Sequence, residues 1–299
     1  MGHEATDSGV EHIARNTCLN YFVKGARVRI TGNTVFIPGA TSGIGLAMAR
    51  RLQAQANTVI AGGRRTELLE RIAAEHPDID TVRIDTADPI SVRSAADQVL
   101  RRHPGLNIVI AMAGIMRIED WHHPELFLAS AESVITTNVL GLIRLIGAFI
   151  EHLQKRPAAT IITVSSPLAF IPLMATPSYN ASKAAIHMLT ESLRLQLADS
   201  TIELKELIPP SVQTDLVPGQ CDSAFATPLE DFADQVMQLL ETEPDSKEIQ
   251  VERVTRLRDS ARHGQYEQAI AAVNAADPDV FAISRIRPHE DSAPPPRRC

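Results

Sequence analysis

Basic residues are in deficit in this chain. Of 299 residues, 29 are Lys or Arg and 36 are Asp or Glu, for a formal net charge of -7. No basic face is implied, which argues against DNA or RNA as the main partner. Cysteine is scarce as well: Cys18, Cys221 and Cys299 are odd in number, far apart and without ligand-like spacing. They suggest neither a disulfide framework nor a zinc set, and they fit a reducing cytoplasm. The adjacent His122 and His123 point apart on most backbones, so no metal site is expected. Long uncharged apolar runs are missing. The most apolar stretch, 139–153, is interrupted by Arg144 and Glu151. It is too short and too charged to span a bilayer, and it reads as a buried or interface helix. The first residues include His3, Glu4, Asp7, Glu11 and Arg15, so the apolar centre of a signal peptide is not expected. There is no internal repeat.

What is present is a globular composition. Hydrophobic residues make up 44% and charged residues 22%, which suits one large domain or two small ones with a core that needs no covalent staples. Residues 1–27 have weak periodicity and mixed charge, and read as an N-terminal extension, disordered or partly helical. Residues 278–299 contain APPPRR and read as a disordered Pro/Arg tail. Between them, over 28–277, apolar β-rich runs alternate with helical spacing. Strands are expected at 34–38, 57–61, 81–84, 107–111, 160–164 and 202–207, with an edge strand at 249–254. Helices are expected after the turn GATSGIG, from Thr66 as N-cap, from Asp88-Pro89, over 124–154, around Tyr179, and at 228–240 and 264–275. Such alternation makes βαβ units. The expected fold is α/β, a Rossmann-type doubly wound parallel β-sheet with helices on both faces, in a single domain.

Three motifs carry chemistry. Gly39, Gly43 and Gly45 sit in GATSGIG, at the first strand-to-helix turn. Glycines let a backbone turn tightly and approach a pyrophosphate, and the helix N-terminus then faces the phosphate charge. Thr41, Ser42 and Ile44 join them as candidate cofactor-binding residues. The second strand ends in AGGRRTE, with no carboxylate before Glu67 to bond a ribose. Arg64 and Arg65 stand there instead, and a guanidinium clamps a 2′-phosphate. That favours NADP(H) and leaves NAD(H) open; the plain alternative is a solvated basic pair. Asp85 and Thr86, after the third strand, are placed to contact an adenine ring or to cap the next turn. The third motif is YNASK. Tyr179 and Lys183 lie four apart, so a helix puts both on one face. A nearby ammonium should lower the phenol pKa toward neutral and let it exchange a proton with a substrate oxygen. Alone, the pair reads first as an ordinary Tyr and Lys on a helix surface.

Taken in order, these motifs resemble the short-chain dehydrogenase/reductase superfamily in its compact form, over roughly 31–254. GATSGIG is similar to the family's glycine turn. The segment MAG, with Ala113 and Gly114, stands where the family has Asn-Asn-Ala-Gly. Asn138, Ser166, Tyr179 and Lys183 fall at family spacing, with Ser166 thirteen residues before the tyrosine. PPSVQT, with Pro209, Val212 and Thr214, resembles the loop beside the nicotinamide amide. Finer detail in GRR, IPLMATPSYNASKAAIH and PPSVQTDL resembles oxidoreductases of the DltE type, a label that fixes no substrate.

The resemblance implies that hydride passes between a nicotinamide and a carbonyl or alcohol carbon of a small molecule. Tyr179 would be the general acid or base, and Lys183 would tune it and hold the ribose. Ser166 would hold the substrate oxygen, and Asn138 would kink its helix. It also implies a homodimer or homotetramer built on the long helices. The alternative is a non-enzymatic NADP(H)-binding sensor of the same fold; a nucleotide-sugar epimerase would need a larger C-terminal part. Pro38, Ala111 and Met112 depart from the pattern, since apolar residues replace the polar ones that tie the glycine turn to the fourth strand. Losing both partners of a buried bond is nearly neutral, so a folded site is expected. Met116, Trp121 and His122 are expected to line the substrate mouth or a subunit contact, and 214–228 to form a mobile wall.

Overall fold

The computed structural model describes residues 30–283. The expected extension at 1–27 and the tail from 284 onward lie outside the described residues. Seven strands form one sheet: β1 (Thr34–Pro38), β2 (Thr58–Gly63), β3 (Ile79–Arg83), β4 (Ile108–Ala111), β5 (Ala159–Val164), β6 (Ile202–Leu207) and β7 (Glu248–Ile249). Their spatial order is β3-β2-β1-β4-β5-β6-β7, and every pairing is parallel. The order reverses direction between β1 and β4, which is where a doubly wound sheet opens a crevice at its carboxyl edge.

The interior strands are near-continuous apolar runs because helices cover both sheet faces. On one face lie α1 (Gly43–Ala54) and α7 (Leu229–Thr242), which bury Met48, Leu52, Phe232 and Val236 against β1, β2 and β6. On the other face lie α3 (Pro89–Arg102), α5 (Gly141–Gln154) and α6 (Pro177–Gln196), which bury Val99, Leu145, Phe149, Leu153 and Ile186. Phe36 of β1 meets Phe149 of α5 with ring centroids 5.4 Å apart. Asp88 caps α3 as expected: its Oδ1 accepts from the Ile90 N–H at 2.8 Å, and Pro89 opens the first turn, where its missing N–H costs nothing.

Several expectations need correcting. The helix α2 (Thr66–Glu75) has Arg65, not Thr66, at its N-cap, and no side chain caps it. The edge strand expected at 249–254 is only the two residues of β7, which pair with Glu206 and Leu207. The chain then turns into helix α8 (Glu252–Arg258). There Glu252 sits in the first turn and Arg256 and Arg258 in the last, the arrangement a helix dipole favours. Val251 and Val254, both buried, are spaced by three rather than alternating. The last helix, α9 (Tyr266–Ala275), is followed by packed chain: Val280 is buried, so the folded unit runs past the boundary drawn at 277. Cys221 is disulfide-bonded, where three unbridged thiols were expected, and neither other cysteine is among the described residues.

The stretch Pro124–Gln154 is one helical run: α4 (Pro124–Ile135), a π-helical turn (Thr136–Leu140) and α5. At 31 residues it is long and apolar enough to cross a membrane by length and composition. Residues 139–153, expected to be too short and too charged to span, are part of this longer run. In this fold the run lies along the sheet, with Leu142, Leu145, Phe149 and Leu153 buried. Phe149→Ala removes the side chain that joins this run to β1 and should cost about 3–5 kcal/mol of stability in a urea titration. An unchanged midpoint would contradict this packing.

Candidate functional site

A cavity of about 740 Å³ opens along the carboxyl edge of the sheet, lined at one end by the turn after β1 and at the other by β5, β6 and their loops. The β1 turn is built by close backbone approach. Gly39 has φ 95°, and a Cβ there would stand 2.6 Å from the backbone nitrogen of Ala113, just beyond β4. A Cβ on Gly45 would stand 2.4 Å from the Gly39 carbonyl oxygen. Only glycine fits at either position, so the turn lies directly on the end of β4. Direct contact of this kind replaces the polar tie that Pro38, Ala111 and Met112 do not provide. Helix α1 starts at Gly43 with no side-chain cap on its first turn, leaving N–H groups for an anion.

Most of the cofactor residues expected from sequence line this cavity: Gly39, Thr41, Ser42, Gly43, Ile44, Gly45, Arg64, Arg65, Thr86, Ala113, Gly114, Tyr179, Lys183, Pro209, Val212 and Thr214. Arg65 bends over the turn, its Nη2 donating to Thr41 Oγ1 and Ser42 Oγ at 2.8 Å each. A Cβ on Gly63 would stand 2.3 Å from Thr41 Cγ2, so no carboxylate fits at the last residue of β2. Asp85 is the exception. It does not line the cavity, and its Oδ1 accepts from the Ala87 N–H at 3.0 Å. The second alternative read from sequence, a turn cap, is the one seen. The glycine cradle, the uncapped helix and the guanidinium pair fit a dinucleotide with a phosphate on its ribose.

The other half of the site is assembled on α6. Tyr179 and Lys183 both project inward from it and both are buried. Thr176 and Pro177 start the helix, and Glu119 anchors that start. Its buried carboxylate accepts from the Ser178 N–H at 3.1 Å and from the Ser130 hydroxyl at 2.9 Å. The carboxylate therefore answers the positive end of the helix. Nothing in the local sequence around Glu119 signals this, because its partners lie 59 and 11 residues away.

Ser166 follows β5 at the start of a 3-10 turn, where its hydroxyl accepts from the Leu168 N–H at 3.2 Å and faces the Tyr179 phenol closely enough to favour its ionised form. The phenol is pushed well above its ordinary value by burial, and Ser166 opposes this only partly. That corrects the expected fall. The Lys183 ammonium lies 5.3 Å from the centre of the tyrosine ring and donates instead to the Val164 carbonyl at 2.8 Å. Desolvation outweighs the distant charge. Burial also lowers Lys183, to about 8, against the favourable pull of Glu206.

Asn138 lies in the π-helical turn. Its Oδ1 accepts from the Ile115 N–H at 2.8 Å, and its Nδ2 donates to the Ile115 carbonyl at 2.9 Å and to Ser182 Oγ at 3.0 Å. It clamps the chain after β4 to α6, beside Gly114, through Ser182, the residue before Lys183. A π-turn widens the helix locally and turns the amide inward.

Glu206 is the buried charge that sequence reading missed. It lies on β6 and is fully buried; it accepts from the Ser165 hydroxyl, and His187 Nδ1 lies 2.9 Å from its Oε2. Its carboxyl is held below its ordinary value by the His187 and Ser165 hydrogen bonds, which outweigh its burial. His187, Glu191, Glu206 and Glu248 bring potential metal ligands within 4.8 Å of one another. Their carboxylates are already engaged, Glu191 by Arg194 and Glu248 by Arg258.

Of the residues expected at the substrate mouth, only Met116 lines the cavity. Trp121 stacks on Phe127 at 4.2 Å and its Nε1 donates to Glu119, while His122 is exposed and pairs with Asp120. In the expected wall at 214–228, Thr214, Asp215, Leu216, Gln220 and Phe225 line the cavity. Its far side comes from α8 and α9 (Arg253, Arg256, Leu257 and Val273), at and beyond the end of the stretch that the resemblance covered.

Comparison with known proteins agrees with this geometry. The family profile described as short chain dehydrogenase matches residues 33–222. An uncharacterized oxidoreductase, DltE, of Bacillus subtilis (strain 168) is 35% identical over 254 residues, covering 84% of this chain and all of the relative. The 2,3-dihydro-2,3-dihydroxybenzoate dehydrogenase of the same organism is 29% identical over 199 residues, covering 62% of this chain and 72% of the relative. A crystal structure of a short chain dehydrogenase from Burkholderia cenocepacia J2315 in complex with NADP superposes with a TM-score of 0.69 at 24% identity, over 83% of this chain and all of that one. The chain belongs to the short-chain dehydrogenase/reductase family and is an oxidoreductase of that family.

Replacing Asn138 by Ala orphans the Ile115 N–H and carbonyl together. The expected loss is about 1–3 kcal/mol for each group left without a partner. Chemical denaturation checks it, and a loss within error of zero would mean that water replaces the amide at no cost.

Proposed function

We propose that the protein is an NADP(H)-dependent reductase of a small-molecule carbonyl, with Tyr179 as the proton donor. The observation that carries this reading is the convergence of the Tyr179 phenol, the Ser166 hydroxyl and the Lys183 ammonium on a cavity whose other end is the glycine turn. A bound nicotinamide supplies the hydride. Tyr179 supplies the proton that the carbonyl oxygen needs. Burial keeps the phenol protonated at neutral pH, the form that can donate a proton to a carbonyl oxygen. Ser166 holds the same oxygen as charge develops on it. Lys183 holds a ribose hydroxyl and places positive charge beside the phenol, and Arg64 and Arg65 receive a 2′-phosphate.

Assembly into a homodimer or homotetramer is part of the proposal. Leu128, Leu140 and Ile143 on the run from α4 to α5, with Met188 and Leu195 on α6, are large apolar side chains left exposed. Long helices with apolar outer faces suit a two-fold contact. Light scattering should give a mass of two or four chains; a monomer at micromolar concentration would remove this part.

The activity test is a carbonyl panel followed at the nicotinamide absorbance. Tyr179→Phe should lower kcat by about a hundredfold or more while leaving NADPH affinity within about twofold. Wild-type protein that binds NADPH yet turns over nothing in the panel would favour a sensor. The cofactor test compares dissociation constants. The double change Arg64→Ala with Arg65→Ala should weaken NADPH by about tenfold or more and leave NADH nearly unchanged; equal wild-type affinities for the two would sink the preference.

A pH profile tests Lys183. Its charge is lost as pH rises through about 8, so kcat/KM should fall on that side. Glu206→Gln removes the carboxylate that favours the charged ammonium, so the alkaline limb should move to lower pH. A limb in the same place in both proteins would show that Glu206 does not support the Lys183 charge.

A further inference from the structure

We propose that the substrate of this cavity carries an oxyanion, a carboxylate or a phosphate, on an apolar body, and that Arg253 and Arg256 receive it. The inference rests on the carbonyl-reductase reading and narrows its substrate class.

Four observations converge. Arg253 and Arg256 both line the cavity from α8. They are three residues apart, so their side chains rise from one helix face about 5–6 Å apart at Cβ, a span that two guanidinium groups close around a single anion.

Neither has a hydrogen-bond or ion-pair partner among the described residues, whereas Arg258 of the same helix pairs with Glu248 at 2.9 Å and lies over the Phe170 ring at 4.2 Å. Two unpaired like charges on one helix face repel each other. The cavity's own acids do not neutralise them: Asp215 is exposed on the loop after β6, and Asp277 accepts from the Ser223 hydroxyl.

The sheet order separates these arginines from the pair assigned to the cofactor. Arg64 and Arg65 follow β2, and α8 follows β7, five strand steps across the sheet. At a spacing of about 4.8 Å per step, the two strands are about 24 Å apart. Helix α8 also packs on the 3-10 turn Pro167–Ala169, which begins immediately after Ser166. The second arginine pair therefore belongs to the end of the cavity that holds Ser166 and Tyr179.

The walls at that end are apolar. Met116, Leu173, Val273 and Phe281 line it. Such a surface rewards hydrocarbon, and Arg253 and Arg256 offer a paired charge to a head group beside it. Both arginines are also exposed to solvent, so a neutral substrate would leave them hydrated and unused in binding.

Binding, not turnover, tests this. Wild-type protein loaded with NADP⁺ is titrated calorimetrically with hexanoate, hexanamide and hexyl phosphate. One or both anions should bind about tenfold or more tighter than the amide, and the tighter anion identifies the oxyanion. In the double variant Arg253→Gln with Arg256→Gln the preference should collapse to within about twofold, with NADPH affinity retained. Anion binding no tighter than amide binding, including no measurable binding of any of the three, overturns the proposal. So does a preference that survives in the double variant. Loss of NADPH affinity in a folded double variant, checked by circular dichroism, would assign the arginines to the cofactor and also overturn it. A protein that turns over no carbonyl sinks the reductase reading without changing these affinities, and equal affinities sink this proposal without changing turnover.

Discussion

A buried ammonium has to be answered, and the answer to Lys183 shapes the centre of this molecule. Taking an amine out of water costs several kcal/mol unless neighbours replace the lost hydration. Here the Val164 carbonyl at the end of β5 accepts from it at 2.8 Å, and the Glu206 carboxylate on β6 favours its charged form. Holding the ammonium there fixes the rotation of α6, which in turn fixes Tyr179 one turn earlier. Asn138 then locks α6 to the chain after β4 through Ser182, and Ser182 donates back to the Tyr179 carbonyl at 2.8 Å. The π-helical turn, the buried glutamate and the anchored helix start all bear on the position of α6.

The opposite end of the cavity depends on contact rather than charge. The glycine turn lies against the end of β4 so closely that no side chain fits between them. That contact leaves the first turn of α1 open to the crevice, and it tolerates Ala111 and Met112 because nothing polar is left half-satisfied. The two ends obey different physics, and the parallel sheet sets the distance between them.

The fold was legible in the sequence because its signals are local. Each strand is a short apolar run, each crossover helix has its own spacing, and Asp88-Pro89 announces its helix directly. The glycine turn and the Tyr179–Lys183 pair were legible for the same reason. What was missed depends on contacts distant in sequence. Glu119 and Glu206 look like ordinary charges until the fold brings Ser178, Ser165 and His187 to them. The phenol was expected to be lowered by its neighbour four residues on; burial and a backbone carbonyl decide otherwise. Helix α8 was read as a strand because Ile249, Val251 and Val254 are all β-branched, and the error hid Arg253 and Arg256. Trp121 and His122 have the composition of a binding surface, yet Phe127 and Asp120 satisfy them locally.

The central claim is that this cavity brings a hydride and a proton to one carbonyl group. The most direct measurement follows the hydride itself. NADPH carrying deuterium at the transferable C4 position is incubated with the protein and a carbonyl substrate, and the product is read by mass spectrometry. The account predicts one deuterium on the new carbinol carbon. A reduced product without deuterium there, or bound cofactor with no reduced product from any carbonyl tested, would contradict it.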